Sequence, residues 1–541
     1  MKHLLLTAIV LLSSQSLRAD EPANARTWRD VEKAVARIDA LMEKSWAENG
    51  ITPAKPADDA EILRRLYLDL AGKIPRVADA RAFLEPDKRL VDLTEPNLSR
   101  LKKERRQKLI DKLLAAPTYV TSFTDFWQAA LIPEAETDQT LRFLRPGFEA
   151  WLRNKLMDDA AYDELARELL TSELTNLNRQ NPRASEATPD AFFRAKQFKP
   201  EDLAAATSRV FLGVRLECAQ CHDHPFDTWK REQFWSFAAF YTGIRTAAQG
   251  NAPPAFAEVS EIQKLAKVKI PDTDKFVEAA FLNDSKPEWK EGTAPRKTLA
   301  DWITSGENPR FARTAVNRLW GHFLGRGFVE PVDDFGESNP ATHPEILDVL
   351  AEEFVTHDFD LKFLIRVIVS TRSYQLTSRM SHESQEPIEH FALFRSRGLT
   401  PRKIFNSLAV ALGTFEPFTV PGQFQDGQAE TEFLNTFRNE SDSVLERPTT
   451  ILQALVMMNG RLITRGTSFE NSRTLRAIVD YPLMSNDEKI ETLYLAALTR
   501  KPREKEFERL SAFVKKHENP SQALADIYWS LLNSSEFLFN H

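Results

Sequence analysis

Apolar residues recur three and four positions apart along most of the chain, which is the period of an amphipathic α-helix. In segment 58–72, "DDAEILRRLYLDLAG", they fall on one helical face, one of the two leading aspartates is placed to cap the helix, and Gly72 is placed to end it. Two later helices are predicted to have Asp163 and Asp360 as N-caps. The same period occupies the segments 105–119, 344–358, 450–463 and 523–539.

The region 246–295 interrupts this pattern, because its helical period is poor and it carries several prolines. We interpret it as an irregular or small β-containing linker between two helical domains, at 58–245 and 296–541. An N-terminal helix and linker, 20–57, precede the first domain. Glycine is scarce, at 18 of 541 residues, which favours a mainly α fold because strand-rich chains need more glycine-containing turns.

The first residues, 1–19, have the layout of a secretory signal peptide. Lys2 precedes the apolar run Leu4–Leu12, and a polar stretch leads to a cleavage position after Ala19. No window reaches the roughly 18 apolar residues of a membrane-spanning helix. We therefore expect an exported protein, in the periplasm or outside the cell, without a membrane span. Cleavage removes two basic residues and no acid, so the formal net charge goes from −7 to −9 (−7 − 2), which argues against nucleic acid as a partner.

The only two cysteines of the chain, Cys218 and Cys221, are three apart and directly followed by His222. Cys-x-x-Cys-His is the sequence that attaches c-type haem, with both thiols bonded to the macrocycle and the histidine as proximal ligand of the iron. An exported chain without other cysteines is a suitable context, because covalent attachment retains haem outside the cell. The sequence therefore predicts one haem c.

Other interpretations of the motif stay open. The two thiols could form a local disulfide, or zinc could be bound by both of them with His222 and His224, although structural zinc usually draws ligand pairs from separate segments. We expect His224 not to be the sixth iron ligand, because its tether to His222 is too short. His224 and Asp227 are instead candidates to support the imidazole from the second shell, or members of an ordinary packed loop. The aromatic segment 233–244 that follows could wall a macrocycle but is more typical of core.

A second group of polar residues lies in the C-terminal half. Arg318 and His322 are four apart on one helix, so they share a side, and Gly325 or Gly327 should end that helix. Together with Asp333, Asp334 and His343 they could form an acid–base or ion-binding site. We favour an architectural role, in which they bridge the two domains or cap helices, with Thr342 as an N-cap. No nucleophile elbow, phosphate loop, HExxH or EF-hand spacing is present in the sequence.

Several blocks resemble a known family. "LRRLYLDLAGKIP" and "RVFLGVRLECAQCHDHPFDTW" resemble the cytochrome-associated domain first described from planctomycete proteins (PSCyt type). "NPRFARTAVNRLWGHFLGRGFVEPVDDF" and "STRSYQLTS" resemble the domain that follows it there (PSD type). The resemblance implies a secreted, largely helical, two-domain protein whose activity is not established. Many relatives carry an additional cytochrome c domain, so the residues that transfer are only those of the motif block: Cys218, Cys221, His222, His224, Pro225 and Asp227.

Two classes of function follow, and whether the protein is an enzyme is left open. The first is an exported haem protein for electron transfer or redox chemistry, with other exported redox or degradative proteins as partners. The second is a non-catalytic helical binding or scaffold component of an extracellular assembly, with Cys218 and Cys221 as a structural disulfide or metal site.

Overall fold

The computed structural model describes most of the chain after the predicted signal peptide. The described residues are 23–85, 97–136, 138, 141–174, 187–247, 253–262, 265–413, 433–434, 436, 451–460, 463–464, 467–469 and 472–541. The predicted signal peptide, 1–19, lies outside them. Among the helices of the described residues, none is long and apolar enough to cross a bilayer.

The predicted fold class is confirmed, since the protein is mainly α-helical. The helices are α1 Ala23–Glu48, α2 Asp59–Leu66, α3 Val77–Leu84, α4 Asn97–Leu114, α5 Pro117–Leu131, α6 Arg145–Met157, α7 Tyr162–Thr171, α8 Ala191–Ala195, α9 Pro200–Leu212, α10 Arg231–Ala238, α11 Pro295–Ile303, α12 Pro309–Leu324, α13 Pro344–Thr356, α14 Leu361–Ser370, α15 Arg372–Gln375, α16 Pro401–Leu412, α17 Ile451–Asn459, α18 Arg473–Val479, α19 Asn486–Leu498, α20 Glu504–Lys516, α21 Pro520–Leu532 and α22 Ser535–Leu538.

The strands of the described residues form three small antiparallel pairs. Two of the pairs lie in or next to the region predicted to be a small β-containing linker, and the third joins a segment near residue 397 to the end of the chain. The prediction of some β structure in the linker is therefore confirmed. The pairs are β1 Ile244–Ala247 with β2 Glu258–Glu261, β3 Lys267–Lys269 with β4 Phe276–Glu278, and β5 Arg397–Gly398 with β6 Phe539–Asn540.

Most of the predicted helix ends are found in the structure. The side chain of Asp58 accepts a hydrogen bond from the backbone of Glu61 and so caps α2, and Asp360 caps α14 in the same way. The prediction for Asp163 is wrong, because α7 begins one residue earlier, at Tyr162. The backbone N–H of Tyr162 donates to the carbonyl of Phe359 at 3.1 Å, so a tertiary contact satisfies this first helical donor.

The hydrophobic residues form two cores that do not follow the predicted linker. The first core contains buried side chains from Trp28 to Phe394, together with Leu495, and so draws on both predicted domains. The second core consists mainly of residues between Leu399 and Leu538, joined by Leu68 and Ile74. The predicted domain boundary at 246–295 stays a prediction. The packing adds a second boundary, between the two hydrophobic cores, near residue 396.

A buried carboxylate joins the two cores. Asp69 lies on a π-helical turn, Tyr67–Ala71, directly after α2, and is fully buried. One of its oxygens accepts hydrogen bonds from Arg397 at 2.6 Å and Asn540 at 2.8 Å, and the other accepts from the Tyr374 hydroxyl at 3.0 Å. Because Arg397 pairs with Asn540 across β5 and β6, this small sheet delivers both donors to the same carboxylate.

Two buried arginines precede Asp69 on α2. Arg65 stacks over the ring of Phe394 at 3.4 Å, donates to the carbonyl of Leu376 at 2.9 Å and pairs with Glu61 at 2.9 Å. Arg64 donates to carbonyls of the C-terminal segment, among them that of Phe537 at 2.9 Å. Since guanidinium groups supply several donors in fixed directions, α2 holds distant parts of the chain in one arrangement.

We expect Asp69→Asn to lower the free energy of unfolding by about 3–5 kcal/mol, because it leaves Arg397 buried without its counter-charge. Chemical denaturation at neutral pH measures this. Asp274→Asn is the matched control, because Asp274 pairs with Lys269 at an exposed site and the change should alter stability little. Equal midpoints for the two variants would contradict the assigned role of Asp69.

The difference in stability between the wild type and Asp69→Asn should also depend on pH. Burial alone would raise the pKa of Asp69, but Arg397 and Lys403 nearby bring it below its ordinary value. The stability that the charged form contributes is therefore present above the ordinary carboxyl value of 3.8 and is lost as the pH falls through the lower folded value. The difference in stability between wild type and Asp69→Asn should be constant from pH 7 to pH 5 and shrink only in stronger acid.

Candidate functional site

The Cys-x-x-Cys-His motif lies on a short surface segment between α9 and α10. Helix α9 ends at Gly213, which has a left-handed φ of 64°, and a 3₁₀ turn, Glu217–Gln220, carries the first cysteine. A Cβ at residue 213 would lie 2.5 Å from the ring of Phe335, so glycine permits the close approach of the segment after α12. The motif is therefore placed against the C-terminal half of the protein.

Both thiols and the adjacent imidazole are accessible. Cys218 and Cys221 are free and exposed, and His222 is exposed. The Nδ1 atom of His222 lies 2.7 Å from the backbone carbonyl oxygen of Asp223. Because a carbonyl can only accept, Nδ1 carries the proton and the lone pair of Nε2 is available to a metal.

The motif segment is held by hydrogen bonds from α10. The indole of Trp235 and the guanidinium of Arg231 both donate to the carbonyl of Gln220, at 3.0 and 3.2 Å. The carboxylate of Asp223 accepts from the backbone N–H of Arg231 at 3.0 Å and pairs with Lys230, and these contacts lower the pKa of Asp223. The segment is thus fixed in position while its reactive side chains face solvent.

His224 and Asp227, which were predicted to support the imidazole, contact their own loop, and Asp227 also contacts the C-terminal half of the protein. Nδ1 of His224 accepts from the backbone N–H of Phe226 at 3.3 Å, so this ring faces its own loop. Asp227 accepts from the backbone of Thr228 at 2.7 Å, and within the described loop no hydrogen bond joins Asp227 to either imidazole. Its other oxygen occupies the space above Gly336, where a Cβ would lie 2.5 Å away. Asp227 therefore faces the C-terminal half rather than a histidine.

The aromatic residues after the motif belong to the core. Phe234, Phe237 and Tyr241 are fully buried in the first core and do not face the motif surface. The exposed aromatic side chain of the motif loop is Phe226, at 80% exposure. A macrocycle bonded to the cysteines would therefore lie on the protein surface, with Phe226 as its aromatic neighbour in the loop.

The donor set fits covalent haem attachment, because two accessible thiols stand beside a histidine whose Nδ1–H is already bound. The geometry does not form a preassembled zinc site. Among the described residues, no group of three or more His, Cys, Asp or Glu side chains is arranged to hold a metal ion.

The second group of polar residues meets the motif segment at Asp333. Arg215, three residues before Cys218, donates to one oxygen of Asp333 through two nitrogens, at 2.7 and 3.0 Å. Arg318 approaches the other oxygen at 3.9 Å. Asp333 therefore connects α12 to the chain immediately before the motif.

Arg310, at the start of α12, adds a second connection. Its guanidinium lies over the ring of Trp229, at 5.5 Å from the ring centre, and it is attracted by Asp227. The sequence analysis missed both Arg215 and Arg310. The available signal was that each is a basic residue beside an apolar segment, while its acidic partner, Asp333 or Asp227, was already a candidate in the other half of the chain.

The remaining candidates do not join Asp333 in one acid–base site. His322 packs between Phe123 and Phe126, and its burial and the nearby Lys403 hold its pKa well below the ordinary value. The spacing argument that grouped it with Arg318 gave the correct helix side, but that side is covered by α5. Helix α12 ends at Gly325, which is one of the two glycines predicted to end it.

His343 and Asp334 occupy turns of the backbone. The prediction that Thr342 caps α13 is wrong, because the helix begins at Pro344 and His343 takes the N-cap position without a capping bond. The hydroxyl of Thr342, the group that would have capped the helix, lies 3.1 Å from Nδ1 of His343, and the backbone N–H of Thr342 donates to the carbonyl of Phe328 at 2.9 Å. The backbone carbonyl of Asp334 accepts from Asn339 at 2.9 Å and so helps to close its loop, and the charge of Asp334 attracts Arg215.

Two family models match the chain. Residues 37–246 match the domain model PSCyt2, described as a protein of unknown function (DUF1549), and residues 295–432 match PSD1, also a protein of unknown function (DUF1553). The chain belongs to the two-domain PSCyt2–PSD1 family. Comparison with curated proteins and with solved structures finds no match.

The motif belongs to the PSCyt2 domain, and the PSD1 domain contacts the residues on either side of the motif. Asp333 and Arg310 are PSD1 residues, whereas Arg215 and Asp227 are PSCyt2 residues. The ion pair between Arg215 and Asp333 and the attraction between Asp227 and Arg310 therefore cross between the domains. The PSD1 domain fixes the position of the motif without supplying one of its three reactive side chains.

We expect Asp333→Asn to destabilise the protein by on the order of 2 kcal/mol, because Arg215 and the buried Arg318 lose their shared carboxylate. Asp348→Asn is the control on the neighbouring helix, since its partner Arg313 is exposed. Thermal unfolding of the three proteins provides the measurement. If Asp333→Asn unfolds at the same temperature as Asp348→Asn, the interdomain ion pair contributes little.

Burial lowers the pKa of His343 to about 4, with a further contribution from His390. Between that value and 6.5 the unfolded chain binds the proton more readily, so the folded protein should lose stability as the pH falls through this range, by up to about 1.4 kcal/mol per pH unit. His343→Gln should flatten this dependence, whereas the exposed His382→Gln should not. Chemical denaturation of the three proteins at pH 7, 6 and 5 measures this dependence. If His343 were not responsible, the free energy of unfolding would fall with pH by the same amount in all three.

Proposed function

We propose that the protein is an exported haem protein in which Cys218, Cys221 and His222 hold one haem c for electron transfer or other redox chemistry. The hydrogen bond from Nδ1 of His222 to the Asp223 carbonyl is the observation that carries the proposal. Histidines that bind metals almost always donate their other ring N–H to an acceptor of this kind.

The two thiols support covalent attachment. To hold haem, each thiol would add across a vinyl group of the macrocycle: the S–H bond and the π bond of the vinyl group would break, one S–C and one C–H bond would form, and no group would leave. Both sulfur atoms must be accessible for this, and Cys218 and Cys221 are exposed on a segment that α10 holds in place. Haem bound in this way is not lost by dissociation, which suits a chain that begins with the layout of a signal peptide.

The exposed position of the motif favours electron exchange with another protein. When bound, haem iron supplies one-electron transfer. His222 would hold the iron through Nε2, and Phe226 would lie beside the macrocycle at the surface. Other exported redox or degradative proteins are the partners that this arrangement suits.

The test is expression in a host that has the machinery for cytochrome c maturation, followed by denaturing electrophoresis with a haem stain and by intact mass measurement. We expect the wild-type mass to be increased by one haem that survives denaturation. The double variant Cys218→Ser/Cys221→Ser should lose it. His222→Ala should also lose the stain or fail to be loaded, because the proximal ligand is removed.

His224→Ala is the matched control, because it removes a histidine two positions away that binds only its own loop. It should retain the haem of the wild type. A wild-type protein of unmodified mass, made beside a control cytochrome that is loaded, would contradict the proposal. Alkylation with and without reductant would then show whether the two thiols form a disulfide, which is the scaffold alternative.

A further inference from the structure

A cavity of about 420 Å³ lies away from the motif, where the start of α2 meets the chain around residues 378–396 and the C-terminal segment from residue 498 onward. Its volume is within the range of small-molecule sites, about 300–1,000 Å³. Arginine side chains and serine hydroxyls dominate its polar lining. The haem proposal makes no use of it.

The side-chain carboxylates in the lining, those of Asp58, Glu61 and Glu536, are already bound, and Asp58 accepts from the backbone N–H of Glu61 at 2.9 Å. Glu61 accepts from Arg65 and the backbone of Ser378 through one oxygen, at 2.9 and 2.7 Å, and from the Thr377 hydroxyl through the other. Glu536 is paired by two nitrogens of Arg500, at 2.5 and 2.8 Å. These acids have donors of their own, and of the other cations in the lining Glu536 attracts Arg64, whereas Arg379 and Arg503 form no ion pair with them.

Three arginines remain with donors to offer. Arg379 and Arg503 are exposed, and neither forms an ion pair with a carboxylate in the part of the chain that the structure describes. Arg64 is 1% exposed, and its Nε atom is buried without an acceptor although its other nitrogens bind backbone carbonyls. Burial lowers the pKa of Arg64 to about 10, so it stays charged at neutral pH.

Hydroxyl groups complete the lining. Ser396 and Ser535 are exposed at the cavity, and their side chains make no hydrogen bond among the described residues. Phe539 adds an apolar surface. Free guanidinium groups bind oxyanions through charge-assisted hydrogen bonds, and hydroxyls bind further hydroxyls, so the lining suits a ligand that carries both kinds of group.

We propose that this cavity binds a small hydroxylated oxyanion, such as a sugar that carries a phosphate or carboxylate group, with Arg379, Arg503 and Arg64 as the anion-binding residues. Arg379 and Arg503 hold the charged group at the mouth. The serines and Phe539 contact the body of the ligand. Because the N-terminal α2 and the C-terminal segment both line the cavity, bound ligand also stabilises their association.

Calorimetric titration of the full-length protein tests this proposal with three probes: glucose 6-phosphate, glucuronate and glucose. We expect at least one of the two oxyanions to bind with a millimolar or lower Kd that rises with salt, and glucose not to bind. Comparison of the two oxyanions distinguishes phosphate from carboxylate recognition. Failure of both oxyanions, or equal binding of glucose, would overturn the proposal.

Variants locate the site. Arg379→Ser and Arg503→Ser should each weaken binding by ~10-fold or more, because each removes a charge-assisted contact. Arg509→Ser is the control, since Arg509 is exposed like the other two arginines but does not line the cavity. Equal Kd values for all three variants would place the anion elsewhere. The Cys218→Ser/Cys221→Ser protein should bind as the wild type does, so this result is independent of haem attachment.

Discussion

The burial of one carboxylate, Asp69, is the constraint on which the arrangement of the chain depends. A buried charge must be neutralised and hydrogen-bonded, and its donors come from residues 374, 397 and 540, which are distant in sequence. The neighbouring Arg64 and Arg65 bind further carbonyls of the same regions. The first core, the second core and the end of the chain therefore meet beside α2, which also contributes Glu61 and Arg64 to the lining of the arginine-rich cavity.

Hydrogen bonds and an ion pair between separate segments of the chain also hold the motif in position. Its exposed side chains stand on a segment whose backbone is bound by α10 and whose base is paired to the PSD1 domain through Arg215 and Asp333. Rigid support with accessible thiols is what a covalently attached, surface-exposed cofactor requires. In this chain the PSD1 domain therefore holds the position of the PSCyt2 motif through these contacts.

The sequence predicted those features that depend on local physics. The helical period, the cap at Asp58 and the left-handed Gly72 are short-range properties, and all three are found in the structure. Prediction from sequence failed where contacts outside the helical pattern decided the outcome: the carbonyl of Phe359 accepts the first N–H of α7, and the hydroxyl of Thr342 contacts the ring of His343. It also treated segment 58–72 as an ordinary amphipathic helix, although the two arginines and the aspartate within its apolar run were the signal of a buried polar network. For the motif, sequence supplied the residue types, and only the structure gave the hydrogen bond that sets the tautomer of His222.

The central claim is that His222 and the two cysteines hold haem, and the visible absorption spectrum of the purified, exported full-length protein tests it most directly. The account predicts an intense Soret band and, after reduction with dithionite, the sharp α and β bands of a c-type haem, retained after extraction with acidic acetone because the macrocycle is covalently bound. A protein that is folded by circular dichroism, produced beside a correctly loaded cytochrome and transparent throughout the visible range would contradict the claim.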